Sequence, residues 1–183
     1  MNVVLAWVIR ILALAAVAMM IVSFTRPWWI GRFGASEAIN IYGWGLRHNL
    51  GSFLSGYVAG DVTPARQVAL AWGYAGISGI VALLGAWVRK WWGSLLLLVA
   101  GLGLIAYAYT AVNVVISNRL ADFSISLEGV SMVGEGIIIN AAQQPGHEMA
   151  YIAGGMLVAL AVVKAAAAFF TRKKPLKSCL QID

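Results

Sequence analysis

Charge is scarce in this sequence, and acidic charge is scarcest. Charged residues make up 11% of the 183-residue chain, with 13 Lys and Arg against 7 Asp and Glu. Soluble domains carry about 25%. No Asp or Glu lies deep in a long apolar run, which excludes the buried carboxylate chains of ion pumps and proton relays. Cysteine occurs once, at Cys179. No intramolecular disulfide can form, nor any zinc site with more than one thiolate. Histidine occurs twice, at His48 and His147. Neither falls inside an apolar run, so a haem held between facing helices lacks its axial ligands. No Gly-x-Ser-x-Gly elbow surrounds Ser52 or Ser55. Gly101-x-Gly103 sits in an apolar run without phosphate-loop context and reads as helix packing. The sequence therefore offers no catalytic set and calls for no cofactor.

Apolar residues are abundant. They form 61% of the chain, against about 45–50% in soluble domains. A soluble globule of this size could not hide so much apolar surface, whereas a bilayer solvates it. Four runs reach the roughly 20 residues that a transmembrane helix needs: residues 6–24, 68–88, 92–116 and 149–170. A secretory signal is an alternative for the first, with Arg10 and Ala16-Val17-Ala18, but the run continues through Phe24, which favours a retained anchor. Arg89-Lys90-Trp91 alone separates the second and third runs, so these pair as a tight antiparallel hairpin. The other connections are long, residues 25–67 and 117–148, and a tail follows at 171–183.

The net charge of +6 forms no stripe interleaved with aromatics, so nucleic acid is not an expected partner. The positive residues sit at the run ends. Arg89, Lys90, Arg172, Lys173, Lys174 and Lys177 share one side, with Asp183 as its acid. The other side mixes Arg26, Arg32, Arg47, Arg66 and Arg119 with six acids. Counting positives near span ends predicts a cytoplasmic turn, both termini cytoplasmic and both long loops outside the plasma membrane. Trp28, Trp29, Trp72, Tyr74, Tyr107, Tyr109 and Tyr151 mark the outer interface, and Trp7, Trp87, Trp91, Trp92, Phe169 and Phe170 the inner one. Arg10 and Lys164 stand two to three turns from the inner ends, where long side chains snorkel to the headgroups. Gly73, Gly76, Gly79, Gly101, Gly154 and Gly155 are expected to let helices approach closely, within the bundle or against a partner.

The long loops have strand character. Glu37 to Leu46 is rich in β-branched and aromatic residues. Phe123, Ile125 and Leu127 alternate with Ser124, Ser126 and Glu128. Val130–Val133 and Ile137–Ile139 flank Gly134-Glu135-Gly136 as a hairpin would. A lone hairpin is marginal in water, so the loops are expected to join. The predicted fold is an all-α transmembrane four-helix bundle carrying a small extracellular antiparallel β-sheet built from both loops. Trp28, Trp29, Tyr42, Trp44, Leu46, Phe123, Ile125 and Leu127 are its candidate interaction residues. His48, His147 and Glu148 are candidates for either a surface role or a metal.

Four spans, inward termini, a tight inner turn and a strand-forming first loop in which Trp29 precedes Gly43-Trp44-Gly45-Leu46 resemble the claudin and peripheral-myelin-protein class of four-span proteins. That class has Gly-Leu-Trp and a cysteine pair, where this chain has a permuted order and only Cys179. The resemblance implies adhesion, sealing or an accessory role, without chemistry. The expected partners are the lipid bilayer and other membrane proteins or copies of the chain. The basic tail, Arg172, Lys173, Lys174 and Lys177, is expected to face anionic lipid, and Cys179 is a candidate for acylation. Two other readings stay open. One is a subunit of a redox or oxidase complex touching quinone or lipid through Trp28, Trp29 and Trp44. The other is a small channel or transporter using Thr110 and Asn113.

Overall fold

A computed structural model describes residues 3–33, 37–48, 63–121, 124–133 and 137–172. Phe123, Glu135, Lys173, Lys174, Lys177 and Cys179 lie outside them, as does the side chain of Arg172. The elements run α1 (Val3–Thr25), β1 (Pro27–Phe33), β2 (Glu37–Tyr42), β3 (Gly45–His48), α2 (Ala65–Trp87), α3 (Trp92–Thr110), a π-helical stretch (Ala111–Ile116), α4 (Ser117–Ala121), β4 (Gly129–Val133), β5 (Ile137–Gln143) and α5 (Pro145–Arg172). Four helical segments are long and apolar enough to cross a membrane: Val3–Thr25, Ala65–Trp87, Trp92–Ile116 and Pro145–Phe170. That is consistent with a membrane protein. Trp92–Ile116 coincides with its predicted run, α1 and α2 begin three residues before theirs, and α5 begins four residues earlier. Pro145 supplies that start, since a first-turn proline has no N–H to lose.

The four helices pack as neighbours in the ring α1–α2–α3–α5, with α3 against α5 the most extensive contact. Their inner stripes follow the helical period. Ile9, Ala13, Ala16, Met20 and Phe24 line α1, and Ala150, Ala153, Leu157, Leu160 and Ala161 line α5. The outward side chains remain apolar, among them Ile11, Leu14, Ile77, Ile80, Val99, Leu102, Ile152 and Val162. An aqueous surface would not tolerate this distribution, but lipid tails do. At the α3–α5 crossing, a Cβ on Gly101 would meet Gly154 O at 2.7 Å, and one on Gly154 would meet Gly101 O at 2.9 Å. These two glycines make the close approach expected of them, and a Cβ on Gly79 would lie 3.3 Å from the Met20 and Val17 side chains. A Cβ on Gly73, Gly76 or Gly155 would meet nothing within 4 Å, and all three are exposed, so they do not pack inside the bundle.

The π-helical stretch has a packing reason. Ala108, Val112, Ile116 and Leu120 are all buried, spaced by four. An α-helix of 3.6 residues per turn would rotate the later ones off the core face. The wider turn from Ala111 to Ile116 absorbs the surplus residue and keeps them inward.

Lys164 does not snorkel. It is 2% exposed and sits on the inner stripe of α5. Its ammonium donates to Gly85 O, to Ala86 O at 3.3 Å and to Val88 O at 2.6 Å. These carbonyls close α2, where the last turn has no further helical N–H. A cation there also meets the negative end of the helix dipole. Lys164 therefore lets α2 end in apolar surroundings and the chain turn into α3.

The long connections meet in one five-stranded antiparallel sheet, order β3-β2-β1-β5-β4, at the end of the bundle opposite the Val88–Trp91 turn. The first connection gives three strands and the second two. The alternating stretch Phe123–Glu128 is not a strand where described. Ser124 has φ of 57°, and Ile125 N–H donates to Leu120 O at 2.9 Å, wrapping the chain back onto α4. Ile125 is buried and Ser126 exposed, so the alternation records burial without a ladder.

Replacing Lys164 by methionine leaves three carbonyls without a donor. It should cost about 2–3 kcal/mol, read as a lower thermal midpoint in detergent, with Lys164→Arg costing less and the exposed Lys90→Met little. An unchanged midpoint for Lys164→Met would contradict the clamp.

Candidate functional site

The sheet seats on the helices through one irregularity. Between Pro27 and Trp29 the β1–β2 register shifts by one residue. Pro27 pairs with Tyr42 and Trp29 with Ile41, so Trp28 is an extra residue on β1. A bulge turns successive side chains towards the same side. Both indoles consequently point inward, each 1% exposed. Pro27 suits this position, because it has no N–H to offer a ladder.

Each indole is fixed at its polar end. Trp28 Nε1–H donates to Ser23 O at 3.0 Å, and Trp29 Nε1–H to Leu127 O at 2.8 Å. The Trp28 carbonyl accepts from Gln144 N–H at 2.9 Å. Beside it, the Ser23 hydroxyl donates to Gly146 O at 2.6 Å. A Cβ on Gly43 or Gly146 would lie 2.6 Å and 2.8 Å from the Trp28 ring, so both glycines make room for it. Phe24 and Tyr107 meet Trp28 edge-on, with centroids at 5.7 Å and 6.2 Å. Tyr107 stacks on Tyr74 at 4.8 Å, and its hydroxyl donates to Gly43 O. One aromatic cluster thus ties α1, α2, α3 and α5 to the sheet.

Beyond this cluster a cavity of about 300 Å³ opens between the β2–β3 turn and the sheet ends of α2 and α3. Ile41, Leu46, Ala71, Ala111, Val115 and Ile116 give it apolar walls, and Thr63, Gln67 and Thr110 give it hydroxyl and amide groups. The π-helical stretch forms one side. Tyr42 stacks on Trp44 at 4.7 Å, and the Arg47 guanidinium lies 4.9 Å from the Trp44 ring centroid. Mostly apolar hollows with a few polar groups are the usual form of small-ligand sites.

The opposite face of the sheet is apolar at one edge. Val130 and Met132 on β4 are each 70% exposed, and Ile138 on β5 is 57% exposed. Register places Met132 beside Ile138 and Val130 beside Asn140. At the other edge Leu46 exchanges hydrogen bonds with Thr63, its N–H donating to the hydroxyl at 2.7 Å and its carbonyl accepting from Thr63 N–H at 3.3 Å. Strand β4 is an end strand, and among the described residues none pairs with its outer side.

The candidate interaction residues therefore divide. Trp28, Trp29, Leu46 and Ile125 are buried and serve as core. Tyr42, Trp44 and Leu127 are half-buried, the first two at the cavity. On the described strands the exposed large apolar residues are Val130, Met132 and Ile138, none of them among the interaction residues expected from the sequence. Their signal was the β-branched hairpin around Gly134–Gly136, but its outward face could not be assigned without the register. The candidate metal residues do not converge. His48 is on the edge strand β3, whereas His147 opens α5, with β1 and β2 standing between β3 and β5. His147 Nδ1 lies 3.0 Å from Gln144 O, and its ring meets Tyr151 edge-on at 5.9 Å. Among the described residues no three metal-ligating side chains come together. No family model matches the chain, and no curated protein matches it.

Trp28→Ala should destabilise the protein by about 3–5 kcal/mol, whereas Met132→Ala should cost under about 0.5 kcal/mol. Thermal scans of both variants in detergent check this. Equal effects would mean that the two residues share one environment.

Proposed function

We propose that this chain is a non-enzymatic integral membrane protein, a structural, adhesion or accessory subunit that binds another membrane protein or a copy of itself through its sheet. The carrying observation is the exposed Val130, Met132 and Ile138 beside a strand edge that no described residue pairs with. Soluble sheet faces and edges normally carry charge to prevent association, and Lys is absent from β4 and β5. An apolar patch at such an edge fits a partner that covers the side chains, extends the ladder, or does both.

In this reading the basic Arg89-Lys90 turn and both termini are cytoplasmic and the sheet is extracellular, at the plasma membrane. The Gly73 and Gly76 face of α2, open in the chain itself, is a second contact for a neighbouring helix. We read this layout as claudin-like; the cysteine pair of that class is absent, and in this chain the buried Trp28 and Trp29 fasten the sheet.

Purification in mild detergent, followed by mass measurement of the intact particle, tests the proposal. The native chain should elute with a second polypeptide or as more than one copy, and Val130→Glu/Met132→Glu should release a folded monomer. A native chain that is already monomeric and alone would remove the reading.

The cavity favours one additional use of the same end, namely holding the apolar part of an amphiphile such as a quinone or lipid. Mass spectrometry of organic extracts should find a bound amphiphile on the native protein and much less on Ala111→Phe, which fills the hollow. Equal recovery from both would exclude this use.

A further inference from the structure

The turn end of the bundle gathers positive charge that nothing described in the chain balances. Arg10 projects from α1, Lys164 from α5, and Arg89 and Lys90 form the turn itself. The described acidic residues are Glu37, at the start of β2, Glu128, just before β4, and Glu148, in the first turn of α5. All belong to the sheet end, while Arg10 lies 15 residues short of the end of α1 and Lys164 lies 16 residues from Glu148 along α5, roughly 23 Å in each case. That distance is several screening lengths at physiological salt.

The two inner cations are treated differently. Lys164 spends its donors on three helix-end carbonyls. Among the described residues Arg10 has no such carbonyl partner. Its guanidinium lies 5.1 Å from the Trp7 ring centroid and 5.4 Å from that of Trp87. Its Nε is buried and has no hydrogen-bond acceptor among the described residues. Indole faces attract a cation but leave its N–H groups unspent. Trp7, Trp87, Trp91 and Trp92 are all exposed at this end, as tryptophans are in a headgroup layer. The exposed Val8 and Ile11 of α1 and Leu84 of α2 continue the surface as apolar side chains.

We propose that Arg10, walled by Trp7 and Trp87 and backed by the Arg89-Lys90 turn, binds the phosphodiester of an anionic phospholipid. A planar guanidinium matches two phosphate oxygens at once. The phosphate meets the terminal Nη groups of the fork, since Nε is enclosed, and supplies the negative charge that no described residue places at this end. The two indoles hold the fork in one orientation. The acyl chains lie on the apolar side chains below. A zwitterionic lipid carries its own ammonium, so it supplies the oxygens but not the charge. The site is independent of the partner contact at the sheet.

The test is native mass spectrometry of the full chain in detergent, titrated separately with phosphatidylglycerol, phosphatidylcholine and inorganic phosphate. The native chain should retain phosphatidylglycerol in preference to phosphatidylcholine, and millimolar phosphate should not displace it. Arg10→Gln should weaken phosphatidylglycerol binding at least about fivefold, the contribution of one basic group at an anionic surface, and Arg10→Lys should weaken it less. Arg89→Gln/Lys90→Gln, at exposed positions, should also weaken it, which keeps the test open if Arg10→Gln does not fold. A chain with Lys173, Lys174 and Lys177 all changed to Gln should keep the Arg10-dependent lipid. The proposal fails if folded Arg10→Gln binds as the native chain does, or if the turn variant is unchanged. It also fails if phosphatidylcholine binds equally, if the tail variant alone abolishes binding, or if free phosphate displaces the lipid, which would mark an ion site.

Discussion

The bulge at Trp28 is the constraint on which the sheet end depends. A regular strand would send Trp28 and Trp29 to opposite faces and leave one large indole in solvent. The extra residue instead brings both inward, and every neighbouring feature accommodates them. Gly43 and Gly146 leave space for the Trp28 ring, Ser23 and Leu127 supply acceptors, and Phe24, Tyr74 and Tyr107 complete the packing. The two connections, far apart in sequence, then pair through β1 and β5. Residues that resembled a binding surface are the fastening between sheet and bundle.

The two ends of the bundle solve different problems. At the sheet end, the difficulty is fastening a five-stranded sheet, drawn from two separate connections, onto the helix ends. Aromatic area and indole hydrogen bonds achieve that. At the turn end, the difficulty is stopping a helix where water is scarce and unpaired carbonyls are costly. Lys164 supplies the missing donors from a neighbouring helix. Between them the α3–α5 contact closes on Gly101 and Gly154, while Gly73, Gly76 and Gly155 remain open to whatever surrounds the chain.

The helices were legible in the sequence because their signal is local, as four apolar runs with charge confined to the ends. The joining of both loops in one sheet was also legible, from the instability of an isolated hairpin. The site was not. Burial at Trp28 and Trp29 depends on a one-residue register shift that no periodicity reports. The alternation at Ile125 and Leu127 looked like a strand because period-two burial does not require a ladder. Lys164 looked like a snorkelling residue because its sequence position gives depth but not the α2 carbonyls facing it. Val130 and Met132 were visible as strand residues, yet their outward face followed only from pairing with β5.

The account holds that the sheet is a contact surface and that the bundle exists to present it. The most direct measurement is a structure determined from native membrane with neighbours retained. The account predicts another polypeptide, or a second copy, covering Val130, Met132 and Ile138 alongside β4. A folded sheet whose apolar edge meets only water, with all neighbours elsewhere, would contradict it.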